Sequence, residues 1–124
     1  MTDDATQREA ALQGALIKLA TEGWRFLRVV QRVQQDLDAE QQRRLGTRVA
    51  FYDRILSDEL GLVGLKLVDF AGQAFGPQIA ASAINADDFT DADVLVVDQT
   101  VEPAVLDRSG VLRSGTVILK RSAS

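Results

Sequence analysis

The chain contains no cysteine and no histidine. Without cysteine there is no disulfide framework, no thiolate zinc finger and no thiol nucleophile. Without histidine there is no imidazole base, metal ligand or near-neutral proton switch, so a Ser-His-Asp triad is excluded. Proline is scarce, two residues in 124, and aromatic side chains make up only 6%. No apolar run approaches the roughly 18 residues of a membrane span. The acidic start, Thr2, Asp3 and Asp4, does not read as a signal peptide. Basic residues are few where they would matter for nucleic acid. Residues 61–124 hold five Lys+Arg against eight Asp+Glu, while residues 1–60 hold nine against ten. A formal net charge of −4 with an acidic second half does not suit a phosphate backbone. These absences point to a soluble, cytoplasmic protein that engages neither nucleic acid nor membrane.

What is present divides in two. From about Thr6 to Leu60 there is no proline, and Ala, Leu, Gln, Glu and Arg dominate, all good helix formers apart from Gly14, Gly23 and Gly46. After Gly61 both prolines, most glycines and the β-branched residues crowd together. Helices first and strands afterwards predict an α+β fold. The expected organisation is a helical dimerisation segment over 1–61, either a long helix or a helical hairpin forming a dimeric bundle, and a small all-β C-terminal domain over 62–124.

The helical half carries a seven-residue repeat. Leu12, Leu16, Leu19, Gly23, Phe26, Val30, Val33 and Leu37 are spaced 4-3-4-3-4-3-4, the spacing of a coiled-coil seam. These residues, Gly23 aside, are the candidate dimer seam. A second stripe of Ile17, Ala20, Trp24 and Leu27 widens the apolar face beyond what two helices need, which favours a bundle. Asp38 is a candidate N-cap for a second helix with Leu45, Val49, Tyr52, Leu56 and Leu60 on one face, although an unbroken helix through 38–40 also fits. Gly61 or Gly64 reads as its left-handed C-terminal cap. Strands are predicted over 65–70, 79–84, 94–100 and 116–120, and Asp107 to Gly110 reads as a hairpin turn between 104–106 and 111–112.

No residue pattern assembles catalytic chemistry. Asp87, Asp88, Asp91 and Asp93 lack the glycine and closing Glu of a calcium loop and read as a solvated turn ahead of Val94. Gly72 to Gly76 is neither a phosphate loop nor a dinucleotide fingerprint. Arg25, Arg28, Arg32, Arg43, Arg44 and Arg48 alternate with acidic residues and read as an ion-paired helix surface. Trp24 and Phe26 read as core or seam residues rather than a ligand platform. The expectation is a protein-interaction module without catalytic residues, metal or cofactor.

The stretch 59–120 resembles the C-terminal part of GrpE, the nucleotide exchange factor of DnaK-type heat-shock chaperones. The matching residues are Leu60-Gly61-Leu62-Val63-Gly64-Leu65-Lys66-Leu67, then Gly72-Gln73-Ala74-Phe75-Gly76-Pro77, then Ile79 to Ser82, Asp87-Asp88, Val94 to Gln99 and Arg113 to Leu119. Phe75, Pro77, Gln99 and Arg113 stand as the family pattern asks. Ala80 stands where the family has His, Gly76 where it has Asp, Val101-Glu102-Pro103 near its Lys-Gly-Tyr, and Ser114-Gly115 at its Pro-Ala. The resemblance implies a dimeric helical stem and a β-domain that inserts against a chaperone ATPase domain and holds its cleft open, so that ADP leaves. Phe75, Pro77, Arg108 and Arg113 are the candidate partner-binding residues. Phe75 and Pro77 also read as a packed turn, and Arg108 as a solvated hairpin tip. The rival reading is a diverged dimeric adaptor or assembly subunit that binds another protein without exchange activity.

Overall fold

A computed structural model of the chain describes residues 3–122. It is α+β: two helices followed by six strands in two small sheets. The chain forms two compact units, Met1–Asp58 and Glu59–Ser124.

In the first unit, α1 spans Asp4–Gln34 and α2 spans Ala39–Leu62, whose last residues belong to the second unit. Asp3 caps α1, its carboxylate accepting from the Ala5 amide at 3.1 Å. The helix is broken at 35–38 rather than continuous, and local chemistry sets the break. Asp38 accepts from the Gln41 amide at 2.8 Å and so opens α2. Two glutamines tie the helices across the turn: Gln34 Nε2 donates to the Gln42 carbonyl at 2.9 Å, and Gln42 Nε2 to the Gln35 carbonyl at 3.1 Å. Gly46 leaves room for this tie, since a Cβ there would lie 2.8 Å from Gln34 Nε2.

Among the described residues of this unit five side chains are buried: Ile17, Ala20, Trp24, Leu27 and Val49. The buried stripe of α1 is therefore the second stripe of the sequence, not the heptad. Leu12, Leu19, Phe26 and Val33 are exposed, while Leu16, Val30 and Leu37 are half-buried. Of the apolar face expected on the second helix, Val49 and Leu60 are buried, Leu45 and Leu56 are half-buried, and Tyr52 is exposed.

The end of α2 begins the second unit. Gly64 adopts φ +76, the Leu65 amide donates to the Leu60 carbonyl at 2.9 Å, and the Gly64 amide donates to the Gly61 carbonyl at 3.1 Å. That pair of bonds with a left-handed glycine is a Schellman stop, and both flanking leucines, Leu60 and Leu65, are buried. Gly64, not Gly61, is the left-handed residue.

The strands are β1 Lys66–Val68, β2 Ala81–Ala83, β3 Leu95–Glu102, β4 Ala104–Asp107, β5 Gly110–Arg113 and β6 Gly115–Arg121. They form sheets ordered β1-β4-β5 and β2-β6-β3. All pairings are antiparallel except β2 with β6. Two nearly continuous ribbons cross from one sheet to the other, β3 into β4 through buried Pro103 and β5 into β6 through Ser114. Proline suits that corner because it has no N–H for either ladder. Gly115 stands beside it, where a Cβ would meet the Glu102 carbonyl oxygen at 2.8 Å and the Ala104 nitrogen at 3.0 Å.

The core of this unit is Phe70, Val97, Ala104, Val117 and Leu119, with Phe75, Ile79, Phe89 and Leu106 among the residues packed against it. Two strands are shorter than their sequence patterns imply. The first ends at Val68 because Asp69 turns the chain, accepting from the Ala71 amide at 3.0 Å, and the Phe70 amide leaves the ladder for the Thr100 hydroxyl at 3.0 Å. The second pairs only over Ala81–Ala83, since residues 76–79 form a turn closed by the Ile79 amide on the Gly76 carbonyl. Beyond it the Asn85 side chain continues the ladder: its Nδ2 donates to the Leu119 carbonyl at 2.9 Å and its Oδ1 accepts from the Leu119 amide at 2.8 Å.

Candidate interaction surface

The four candidate contact residues divide between the two sheets. Phe75 belongs to a segment that runs along the outer edge of β3, bridged by Ala74 to Val96. The Phe75 amide donates to the Leu95 carbonyl at 3.0 Å, and the Val97 amide to the Gln73 carbonyl at 2.9 Å. The Phe75 ring is half-buried and packs against the core, so this residue holds the edge of the sheet. Pro77 follows it, exposed, in a turn where Gln78 Nε2 donates to the Ala74 carbonyl at 3.1 Å.

Arg108 and Arg113 share the other sheet, on the hairpin of β4 and β5. The turn is built from its own sequence: Ser109 donates from its amide (2.8 Å) and hydroxyl (2.7 Å) to the Asp107 carboxylate, and Gly110 takes φ +136. The Ser109 hydroxyl, then its amide, hold the Asp107 carboxyl below its ordinary value. Arg108 lies beside Gly64, where a Cβ would come within 3.0 Å of its Nε. Arg113 closes β5 opposite Val105.

Every residue of β5 is exposed, including Val111 at 52% and Leu112 at 42%. A register shift falls within it: Val105 pairs with Arg113 and Leu106 with Val111, which leaves Leu112 as the extra residue of a bulge. The strand stands at the end of the order β1-β4-β5. The surface thus combines two exposed aliphatic side chains with two guanidinium groups, in a half of the chain whose formal charge is −3. Chemically it fits a partner surface that is apolar and bordered by carboxylates. Arg108 and Arg113 are candidates from the sequence, and the exposed Val111 and Leu112 join them only in the folded strand. Two adjacent apolar residues in so short a strand cannot both face one core, and that was the signal available.

The other sequence candidates occupy structural positions. Asp87 and Asp88 lie in a single 3₁₀ turn, Ala86–Asp88. Asp93 accepts from the Thr90 amide at 2.9 Å and from Arg121 Nε at 3.2 Å, and these two contacts, the amide first, lower its pKa. Among the described residues no three Asp or Glu side chains converge into a group able to hold a metal. The arginine stripe is partly ion-paired, Arg25 with Glu22 at 3.2 Å and Arg44 with Glu40 at 2.9 Å. Arg28 lies over the ring of buried Trp24, 4.4 Å from its centroid. Among the described residues no helix is long and apolar enough to cross a membrane.

Compared with protein-family models, curated proteins and solved structures, the chain matches none.

Proposed function

We propose that this chain is a GrpE-like co-chaperone that promotes ADP release from a DnaK-type ATPase through protein–protein contact. The observation that carries the reading is the β5 strand, every residue of which is exposed, with Val111, Leu112 and Arg113 presented at a sheet edge and Arg108 at its tip. The order of elements, helix stop, short strand, Gly-x-x-Phe-x-Pro turn and apolar strands, supports it in the terms of the family resemblance. The mechanism is a shift of populations. The β unit binds the open conformer of the ATPase domain better than the closed one, so it stabilises the state from which ADP departs. Such work requires no nucleophile, base or metal from this chain. Cytoplasmic location follows from the partner.

The adaptor reading is favoured by one specific observation. Ala80 and the segment Val101-Glu102-Pro103 replace the His and Lys-Gly-Tyr positions of the family. Stopped-flow release of a fluorescent ADP analogue from a DnaK-type chaperone separates the two. Faster release in the presence of the chain supports exchange, and Leu112→Asp or Arg113→Glu should reduce the acceleration about tenfold or more, as for interface anchors. Unchanged release together with no complex on a sizing column rejects exchange and leaves the adaptor.

A further inference from the structure

Two three-stranded sheets have four edges, and the chain treats them differently. The outer side of β3 is covered by residues 72–75: the Gly72 amide donates to the Val97 carbonyl at 2.9 Å, and Ala74 bridges to Val96. β2 is three residues long, and the Asn85 side chain extends its ladder. β1 is also three residues long and ends where Asp69 turns the chain. β5 is four residues long, and no segment among the described residues pairs with its outer side.

That side of β5 continues a pairing the molecule already makes. The register of Glu102 with Thr116 runs on to Val105 with Arg113, so β5 and β6 follow one another as a single ribbon along β4 and β3. β2 lies parallel on the outer side of β6, with Ala81 beside Gly115, and the Gly115 amide donates to the Ala80 carbonyl at 2.8 Å. Before Ala80 the chain turns away, the Ile79 amide closing on the Gly76 carbonyl. A strand added beside β5 would therefore extend the row that β2 begins. In such additions the backbone groups of the edge give affinity, and alternate side chains give specificity.

Side-chain alternation and charge identify the occupant. Val111 pairs with Leu106 and Arg113 with Val105. Leu106 and Val105 are neighbours on one strand and lie on opposite faces, so Val111 and Arg113 do too. A strand laid beside them meets an aliphatic side chain on one face and a guanidinium group on the other, with Arg108 at the hairpin tip. The charge here is uncompensated. In the other sheet Lys120 pairs with Asp98 at 3.5 Å and Arg121 with Asp93 at 3.2 Å. Arg108 and Arg113 make no ion pair among the described residues, although the half of the chain they belong to has a formal charge of −3. An antiparallel copy of β5 would bring guanidinium to guanidinium, which like-charge repulsion disfavours. A strand carrying carboxylates is the complementary one.

We propose that the outer edge of β5 takes up an extended segment of another protein as a fourth strand, one in which aliphatic and acidic residues alternate, with an aliphatic residue beside Val111 and a carboxylate beside Arg113. The proposal rests on the reading above for the surface alone, not for exchange, and states how that surface is held. The probe is a capped peptide of four Val-Glu repeats, titrated into the isotope-labelled full chain and followed by amide shifts and hydrogen exchange. The β5 amides should shift, and those facing outward should exchange about tenfold more slowly at a peptide concentration ten times the dissociation constant. A Val-Lys peptide of equal length should bind about fivefold more weakly or worse, and Arg113→Glu should remove that preference. Methylating the backbone nitrogens of the valines in one peptide and of the glutamates in another blocks opposite edges of the added strand. One of the two should lose binding and the other keep it. Unmoved β5 amides overturn the proposal. So does equal affinity of the two methylated peptides, which would mean that side chains alone hold the ligand. Peptide binding by a chain that leaves ADP release unchanged supports this proposal and removes only the exchange-factor reading. Accelerated release that Arg113→Glu abolishes, with no peptide bound, does the reverse.

Discussion

At the residue scale, the β unit depends on a few positions where no other side chain fits. Gly115 is one: a methyl group there would press on the Glu102 carbonyl and the Ala104 nitrogen, both backbone atoms that cannot swing aside. Gly115→Ala should lower stability by about 1–3 kcal/mol, the range for overpacking, read as a fall in the urea midpoint without a change in slope. Thr100 is another. It is buried at 6% exposure, and its hydroxyl accepts the Phe70 amide. Thr100→Val keeps the shape but orphans that N–H, and a loss of about 1–3 kcal/mol is expected by the same measurement. Acid sensitivity also belongs to this scale. The Asp107 and Asp93 carboxyls are lowered from an ordinary value of 3.8 by bonds that only the ionised form accepts fully. Their contribution is therefore complete above that value and is lost as pH falls through it toward the lowered one. Asp107→Asn should flatten the acid limb of the stability curve. An unchanged limb contradicts the role given to the Ser109 turn.

At the element scale, the stop of α2 is a local device. Gly64 holds φ +76 and sits against Arg108, so Gly64→Ala should cost about 1–2 kcal/mol for the left-handed backbone, with no loss or a small gain for Gly61→Ala, which lies within α2 and where a Cβ meets nothing. Equal losses would contradict the assignment of the cap. Much of this level was legible in the sequence because the signals are local: an Asp before a helix, a glycine after one, alternating apolar residues, and Asp-x-x-Gly in a hairpin. What the chain did not reveal depends on partners distant in sequence. Nothing around Asn85 says that its amide will extend a ladder to Leu119, 34 residues away. The sharing of strands between two sheets at Pro103 and Gly115 likewise comes from tertiary packing. The two stripes of α1 were both visible, but periodicity alone does not say which one the monomer buries. The heptad was the stronger pattern, and the structure buries the other.

At the scale of the whole molecule, the two units differ in how completely they bury their apolar side chains. The helical unit has five buried side chains among its described residues and a broad exposed apolar face, a combination that association would stabilise. The β unit has a core around Phe70, Val97 and Val117 and an exposed strand, β5, at a sheet edge, the surface of the proposed recognition. For the candidate contacts the sequence indicated charge but not geometry. Arg108 and Arg113 share one hairpin, while Phe75 serves the core on the other sheet. Phe75→Ala should accordingly act through stability, by about 3–5 kcal/mol at most for a large-to-small change and less at a half-buried site, whereas Arg113→Glu should weaken partner binding and leave the melting transition in place.

The proposed exchange activity is thermodynamic: in it, the chain favours a conformation of a DnaK-type partner that holds ADP poorly. Linkage then fixes a quantity that surface contact without exchange does not produce. The affinity of the chain for a DnaK-type ATPase domain should be measured by titration calorimetry without nucleotide and at saturating ADP. ADP is expected to weaken the complex, by the same factor by which the chain weakens ADP binding. Equal affinity in both conditions would contradict it.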